Sequence, residues 1–363
     1  MRAGSWGDRY PFFQSSQFTT QYGWLSSVPN ELQQMLIEEP PLSQFIVKES
    51  AFGPVGSSPP LVQIPIVDVS LVFSSQDELE KLKNALSSWG CFQAIGHGIS
   101  SSFLDKVREA AKHFFSLPME EKRKCFRAVK EAEGYGSDLI VSDKQILDWS
   151  NRLFLMVFPE NQRRLNLWPE MPNDFGEILI EYATKIKSLM DLCFKAMAKS
   201  LQLEEDIFLK HFGDQAVVQA RYNFYPPCPR SDLVLGLKSH SDKSGVTILL
   251  QDQQVEGLQL FKDGTWFRVP IIPQALIVNL GDQMEIMSNG IFKSPLHRVT
   301  TNTERMRASV AMLIEPAAEQ EIGPVDDLVD EKRPRLYQNV KNYGAFNYHC
   351  YQKGLVALDA VKM

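Results

Sequence analysis

The most constraining feature of this chain is the texture that begins after Ala216, where apolar segments too short for helices follow one another between turns. They read VVQARYNFY, GVTILLQD, LQLF, TWFRV, ALIVNLGD, HRVTT and RASVAMLIE. The Asp263-Gly264 step between Leu260 and Trp266 is a strong hairpin signal. Short strands at regular spacing with such turns predict a closed or double-sheet β unit, such as a jelly roll.

Upstream the periodicity is mixed. IPIVDVS (Ile64 to Ser70) and CFQAIG (Cys91 to Gly96) read as strands. Ser75 precedes Glu78 by three, a capping-box spacing, and Leu79, Leu82 and Leu86 follow at helical intervals. Phe103, Val107, Ala110 and Phe114 mark a second amphipathic helix that stops before Pro118. A long helix is expected from about Phe175 to Leu201, with Asp174 and Glu177 as its capping pair and an apolar stripe that suits core packing. Residues 1–60, rich in Ser, Gln, Pro and Gly, read as an arm with one short helix near Asn30–Glu38, where Asn30 would cap. The expected class is α+β, a double-stranded β-helix (jelly-roll) core with a helical N-terminal region packed against it. The expected divisions are 1–60 (arm), 61–170 (mixed helix and strand), 171–214 (long helix), 215–316 (jelly roll) and 317–363 (C-terminal segment and helix).

A formal net charge of −6 argues against a general nucleic-acid binder. No stretch reaches the roughly 18 apolar residues of a membrane span, and the N-terminus lacks the apolar core of a signal peptide. Five cysteines, odd in number and without a CxxC pair, fit a reducing compartment rather than a disulfide framework or thiolate zinc site. A monomeric cytoplasmic protein without nucleic-acid or membrane partners is the expectation.

The chemistry concentrates in a few residues. His240 and Asp242 lie two apart, so in extended chain both side chains point to the same side. A third ligand from another strand would complete two His and one carboxylate, which on a six-coordinate ferrous ion leaves three positions open. Alone, an HxD pair is weak evidence. His297 follows 55 residues after Asp242 in SPLHRVT, and ten residues later come Arg307 and Ser309, again a pair on one strand face. A guanidinium grips a carboxylate bidentately, and a hydroxyl beside it adds a further bond. A dicarboxylate could chelate iron at one end and dock on Arg307 and Ser309 at the other.

HSD, LHR and RAS at these spacings resemble the plant 2-oxoglutarate and iron-dependent dioxygenases, relatives of isopenicillin N synthase. The stretch from Arg221 to Gln251 is close to their central motif, IPIVDVS and WGCFQAIGHGI are similar to their N-terminal region, and the likeness spans roughly residues 60–350. LGLKSHSDKSGVTILLQ and SDKQILDW look most like the clade of morphinan O-demethylases and senescence-related oxygenases. The resemblance implies His240, Asp242 and His297 as iron ligands, and Arg307 and Ser309 as the grip on 2-oxoglutarate, with Asn223 and Tyr225 also lining the cosubstrate site. It implies ferrous iron as cofactor, 2-oxoglutarate as cosubstrate, ascorbate as reductant, and dioxygen with a small-molecule substrate as partners. Hydroxylation, desaturation or demethylation of a mostly apolar plant metabolite, with release of succinate and carbon dioxide, is the implied reaction.

Candidate pocket residues are Arg152 and Phe154, where relatives place apolar or aromatic side chains, Leu313, where many have Phe, and Phe292. Arg152 reads either as a contact for an acidic substrate or as a surface ion pair. His97, in the family's N-H-G turn with Gly96 in place of Asn, reads as structural. Three other readings stand beside this one. A zinc hydrolase leaves Arg307 and Ser309 unexplained, and there is no HExxH. A silent metabolite-binding barrel has no need of open iron positions. A same-fold oxidase that does not use 2-oxoglutarate also keeps RxS, so only succinate production separates it.

Overall fold

The computed structural model describes residues 43–47, 55, 59–128, 131–137, 145–213, 215–352 and 355–363. The expected helix near Asn30–Glu38 lies outside the described residues.

Local rules set the first elements: β1 (Ile66–Asp68), α1 (Gln76–Ser88), β2 (Cys91–Ile95), α2 (Ser101–Ser116), the short α3 (Met119–Arg123), β3 (Gly134–Gly136), β4 (Asn151–Phe158) and α4 (Phe175–Ser200). Ser75 caps α1 by accepting the Glu78 amide, and Leu79, Leu82 and Leu86 are buried along one face, as the spacing predicts. Ser100 caps α2 in the same way. Two details depart from the sequence reading. Asp174 stands at the start of α4 without capping it, because its carboxylate pairs with Lys106 at 3.0 Å. Phe103 of α2 is only half-buried, with the Lys185 ammonium 5.4 Å from its ring, and Leu104 takes the buried place.

The second half holds α5 (Ile207–Phe212), β5 (Val217–Tyr225), β6 (Leu235–His240), β7 (Val246–Leu250), β8 (Leu258–Lys262), β9 (Thr265–Arg268), β10 (Leu276–Leu280), α6 (Asp282–Met287), β11 (His297–Thr300), β12 (Arg307–Glu315) and α7 (Tyr343–Gln352). The hairpin expected at Asp263-Gly264 joins β8 to β9. Both turn residues have positive φ, 48° and 77°, which glycine takes without a steric cost and aspartate tolerates better than most residues.

The strands form two sheets. One has eight strands in the order β1-β2-β10-β7-β12-β5-β4-β3, and the other four, β6-β11-β8-β9. Four strands of the larger sheet come from the N-terminal half, β1 and β2 at one edge and β4 and β3 at the other. The N-terminal region therefore extends the sheet as well as supplying helices. β4 escaped the sequence reading because NRLFLMVF is apolar at every position from Leu153 to Phe158, so no polar–apolar alternation marks it, although Phe154, Met156 and Phe158 are only half-buried.

Alternation across the large sheet divides its faces. On β5, Tyr222 and Phe224 turn to the helices: Tyr222 packs 5.2 Å from Phe175 of α4, and Phe224 stacks 5.1 Å from Phe115 of α2. Asn223 and Tyr225 must then face the other way, toward the interior between the sheets. Register carries that face across the neighbouring strands, since directly paired residues project to the same side. Ser309 pairs with Asn223 and Arg307 with Tyr225 on β12, while Arg152 pairs with Asn223 and Phe154 with Arg221 on β4. The helix-facing side is apolar core, and the interior side carries most of the polar groups.

Candidate metal and cosubstrate site

His240 ends β6 and His297 begins β11, and these two residues are direct antiparallel partners, with ring centres 4.2 Å apart. Asp242 lies two residues beyond His240. Its Oδ1 is 3.6 Å from His240 Nε2 and 3.7 Å from His297 Nε2. Among the described residues this is the only group of three or more His, Cys, Asp or Glu side chains whose ligand atoms lie within 4.8 Å of one another.

Each group is turned by a specific bond. The Nδ1 atoms of His240 and His297 lie 2.7 and 3.1 Å from the carbonyls of Lys238 and Pro295. A carbonyl can only accept, so each Nδ1 carries the proton and each Nε2 keeps its lone pair toward Asp242. Asn279 of β10 donates Nδ2 to Asp242 Oδ2 at 2.7 Å, which leaves Oδ1 turned toward the two Nε2 atoms. Burial pushes the His297 imidazole down to about 4, so at neutral pH it is an uncharged donor. Burial opposes ionisation of Asp242, but the flanking imidazoles, whenever they carry a second proton, and the Thr247 hydroxyl outweigh it and hold its carboxyl well below the usual range. Two imidazoles and one carboxylate suit ferrous iron with coordination positions to spare.

Arg307 is 2 % exposed, and its Nε and both terminal nitrogens are buried with no hydrogen-bond partner among the described residues. Its guanidinium carbon lies 5.1 Å from the centre of the Tyr225 ring, and the Ser309 hydroxyl hydrogen-bonds the Tyr225 phenol. A buried cation with all its donors unspent is costly unless an anion meets it. A carboxylate is the planar, bidentate partner such a fork fits.

Comparison with known proteins agrees. Residues 214–316 match the model for the 2OG-Fe(II) oxygenase superfamily, and residues 64–171 match that for the non-haem dioxygenase in morphine synthesis N-terminal region. Protein SRG1 of Arabidopsis thaliana is 39 % identical over 83 % of this chain and 86 % of its own length. Codeine O-demethylase of Papaver somniferum is 38 % identical over 86 % of this chain and 89 % of its own. The crystal structure of JOX2 in complex with 2OG, Fe and JA superposes with a TM-score of 0.84 at 33 % identity, covering 92 % of this chain and 97 % of that one.

The chain belongs to the 2-oxoglutarate and iron(II)-dependent oxygenase superfamily. It is a plant-type dioxygenase near the morphinan demethylase clade, an oxidoreductase with iron and 2-oxoglutarate as cofactors, built on the expected double-stranded β-helix.

In this oxygenase the remaining sequence candidates fall as follows. Register brings Leu313 to the interior face, paired with Gln219 and Thr247. Arg152 and Phe154 share that face, and Arg152 is 3 % exposed, so it forms no solvated surface ion pair. Its NH1 donates to the Ala132 carbonyl at 2.7 Å, and its guanidinium carbon sits 5.4 Å from the Phe154 ring centre. Phe292 is fully buried in the segment between α6 and β11, with its amide on Ser288 Oγ. His97 ties a turn together: Nε2 donates to the Gln274 carbonyl, and Nδ1 accepts the Ile99 amide.

The sequence reading missed the residues that hold Asp242 and His240 in place. Asn279 gave no signal, because only the pairing of β10 with β7 sets it beside Asp242. Asp148 was equally silent. It accepts the Lys238 amide at 2.7 Å and the Lys238 ammonium at 2.8 Å, both side chains being buried. The same Lys238 offers its carbonyl to His240, so Asp148 fixes the strand end that aims this imidazole.

Proposed function

We propose that this oxygenase uses dioxygen and 2-oxoglutarate at ferrous iron to hydroxylate, desaturate, or O- or N-demethylate a small, mostly apolar plant metabolite. Succinate and carbon dioxide are the co-products, and ascorbate serves as reductant. The observation that carries the reading is the buried, unspent Arg307 guanidinium, on the same sheet face as the Asn279 that holds Asp242. A dicarboxylate has one end for each.

His240, Asp242 and His297 would hold the iron, which when bound supplies the oxidising power for an unactivated C–H bond. The chain's own groups do the positioning. Arg307 and Ser309 take the distal carboxylate of 2-oxoglutarate, Tyr225 supports the guanidinium with its ring face, and Asn223 lines the same row. Asn279 and the two backbone carbonyls keep the ligand atoms aimed, so little reorganisation is needed when metal arrives. Phe154 and Leu313 offer apolar wall to a substrate, and Phe292 backs it. The relation to codeine O-demethylase supports a polycyclic or aromatic substrate for this chain. Arg152 adds a preference for a carboxylate or phenolate on it.

No helix among the described residues is long and apolar enough to cross a membrane. The five cysteines, buried and outside any disulfide, suit the reducing cytoplasm that this reading adopts, with the chain acting as a monomer.

The deciding experiment incubates the purified chain with iron, ascorbate, 2-oxoglutarate and a panel of flavonoids, alkaloids, terpenoids and coumarins, scoring succinate above the uncoupled background. Substrate-dependent succinate from an apolar compound is expected. Substrate oxidation without succinate would instead make the chain a same-fold oxidase, and turnover of a small polar amino acid alone would refute the apolar pocket.

A further inference from the structure

Asp282, the first residue of α6, is completely buried, and its carboxylate is the meeting point of three chain segments. Oδ2 accepts the Ser241 hydroxyl at 3.1 Å, the Tyr343 phenol at 2.7 Å and the Asn347 amide at 2.8 Å. Oδ1 accepts the Ser294 hydroxyl at 2.7 Å. Its backbone amide donates to the Asp242 carbonyl at 2.8 Å. Ser241 is the residue between His240 and Asp242, Ser294 lies three residues before His297, and Tyr343 and Asn347 are one turn apart on α7.

Glu285, one turn along α6, repeats the pattern. It accepts the Ser294 amide at 2.6 Å through Oε2 and the Tyr337 phenol at 2.7 Å through Oε1. A second contact brings α7 against the loop that carries Asp242. Lys243 pairs with Glu315 at 2.7 Å, and a β-carbon on Gly344 would fall 2.9 Å from Glu315 Oε2, so the helix lies close enough here that a larger residue would push that carboxylate aside.

We propose that Asp282 is a positioning residue that couples docking of the C-terminal segment to the shape of the metal-binding loop. The inference rests on His240, Asp242 and His297 being the metal ligands. A buried carboxylate needs its hydrogen bonds, and of the four side-chain donors on Asp282 two come from α7 and two from the ligand segments. When α7 leaves, Asp282 loses half of these donors, and the bonds that hold Ser241 and Ser294 no longer sit in a closed, dry network. Metal binding and α7 docking therefore favour each other, and linkage makes the effect equal in both directions.

The test uses the full-length chain stripped of metal with a chelator and titrated with cobalt(II), a coloured stand-in for ferrous iron, without cosubstrate. Tyr343→Phe combined with Asn347→Leu keeps shape and removes both donors. Its cobalt affinity is expected to fall about 5- to 30-fold, within the usual range of coupling between sites. In the unaltered chain, bound cobalt should slow proteolytic cleavage of the C-terminal segment by a like factor, and the double variant should lose that protection. A folded double variant with unchanged cobalt affinity would overturn the proposal and leave these bonds as packing alone. Should the double variant not fold, Ser241→Ala cuts the link from the metal side. Metal-dependent protection is then expected to shrink, and protection at full strength would overturn the coupling. His240→Ala separates the two readings: if it binds cobalt as well as the unaltered chain, the ligand assignment itself fails, whatever the C-terminal variants do.

Discussion

Arg307 faces Tyr225 across the β12–β5 ladder, its guanidinium carbon 5.1 Å from the centre of the phenol ring and its nitrogens unspent. The ring supports the cation without competing for its hydrogens, so the fork stays ready for a planar anion. Arg307→Lys keeps the charge and loses the fork. 2-Oxoglutarate affinity should fall by about 1.5–3 kcal/mol, and for Ser309→Ala by roughly 0.5–1.5 kcal/mol. Calorimetric titration of the metal-loaded chain checks both, and an unchanged affinity for Arg307→Lys would remove Arg307 as the anchor.

Arg307→Met should move stability the opposite way. It removes a buried charge without partners and leaves a flexible apolar side chain, so the cosubstrate-free protein should unfold at the same or a higher denaturant concentration while 2-oxoglutarate no longer binds. Urea unfolding monitored by circular dichroism gives the sign.

Replacing His240, Asp242 or His297 with Ala should abolish metal binding with the far-ultraviolet spectrum nearly unchanged, since the sheets do not depend on the ion. Asn279→Leu is expected to be milder. It frees Asp242 Oδ2 from its donor and should weaken iron or cobalt binding by about 10- to 100-fold, the scale of supporting bonds around a metal. Spectroscopic metal titration of each variant reads this directly.

Lys238→Met leaves Asp148 as a buried charge without its ammonium and should cost about 3–5 kcal/mol of stability. Adding Asp148→Leu should recover part of that loss, because the pair is then replaced by apolar volume, although the Lys238 amide loses its acceptor. A double-mutant cycle in denaturant measures the coupling.

Leu313→Phe fills interior space beside Thr247 and Gln219, so the substrate ranking should shift toward flatter compounds. A panel scored by succinate release decides it, and an unchanged ranking would take Leu313 out of the pocket.

Much of this molecule was legible in the chain. The hairpin at Asp263-Gly264 and the cap at Ser75 follow from local chemistry, and local chemistry survives folding. That His240, Asp242 and His297 come together, and that Arg307 and Ser309 share a strand face, was readable because their spacing matches a recurrent pattern. Asn279, Asp148 and Asp282 were not, because each acts on a residue far away in sequence and its role exists only once β10, β6 and α7 are in place. β4 was missed for a related reason: a strand with apolar side chains on both faces shows no alternation to read. Asp174 looked like a cap, but Lys106 of a neighbouring helix claimed its carboxylate.

The division of the large sheet has a consequence for how such a protein can change over generations. Every second side chain of β4, β5 and β12 packs against α2 or α4, or lies in the same layer, and substitutions there are paid in stability. The alternate positions, Arg152, Phe154 and Leu313 among them, touch the interior instead. Mutation can therefore change the shape and charge of the face between the sheets while the layer packed on the helices is left alone. A lineage built on this scaffold is free to diversify what it oxidises far faster than how it folds.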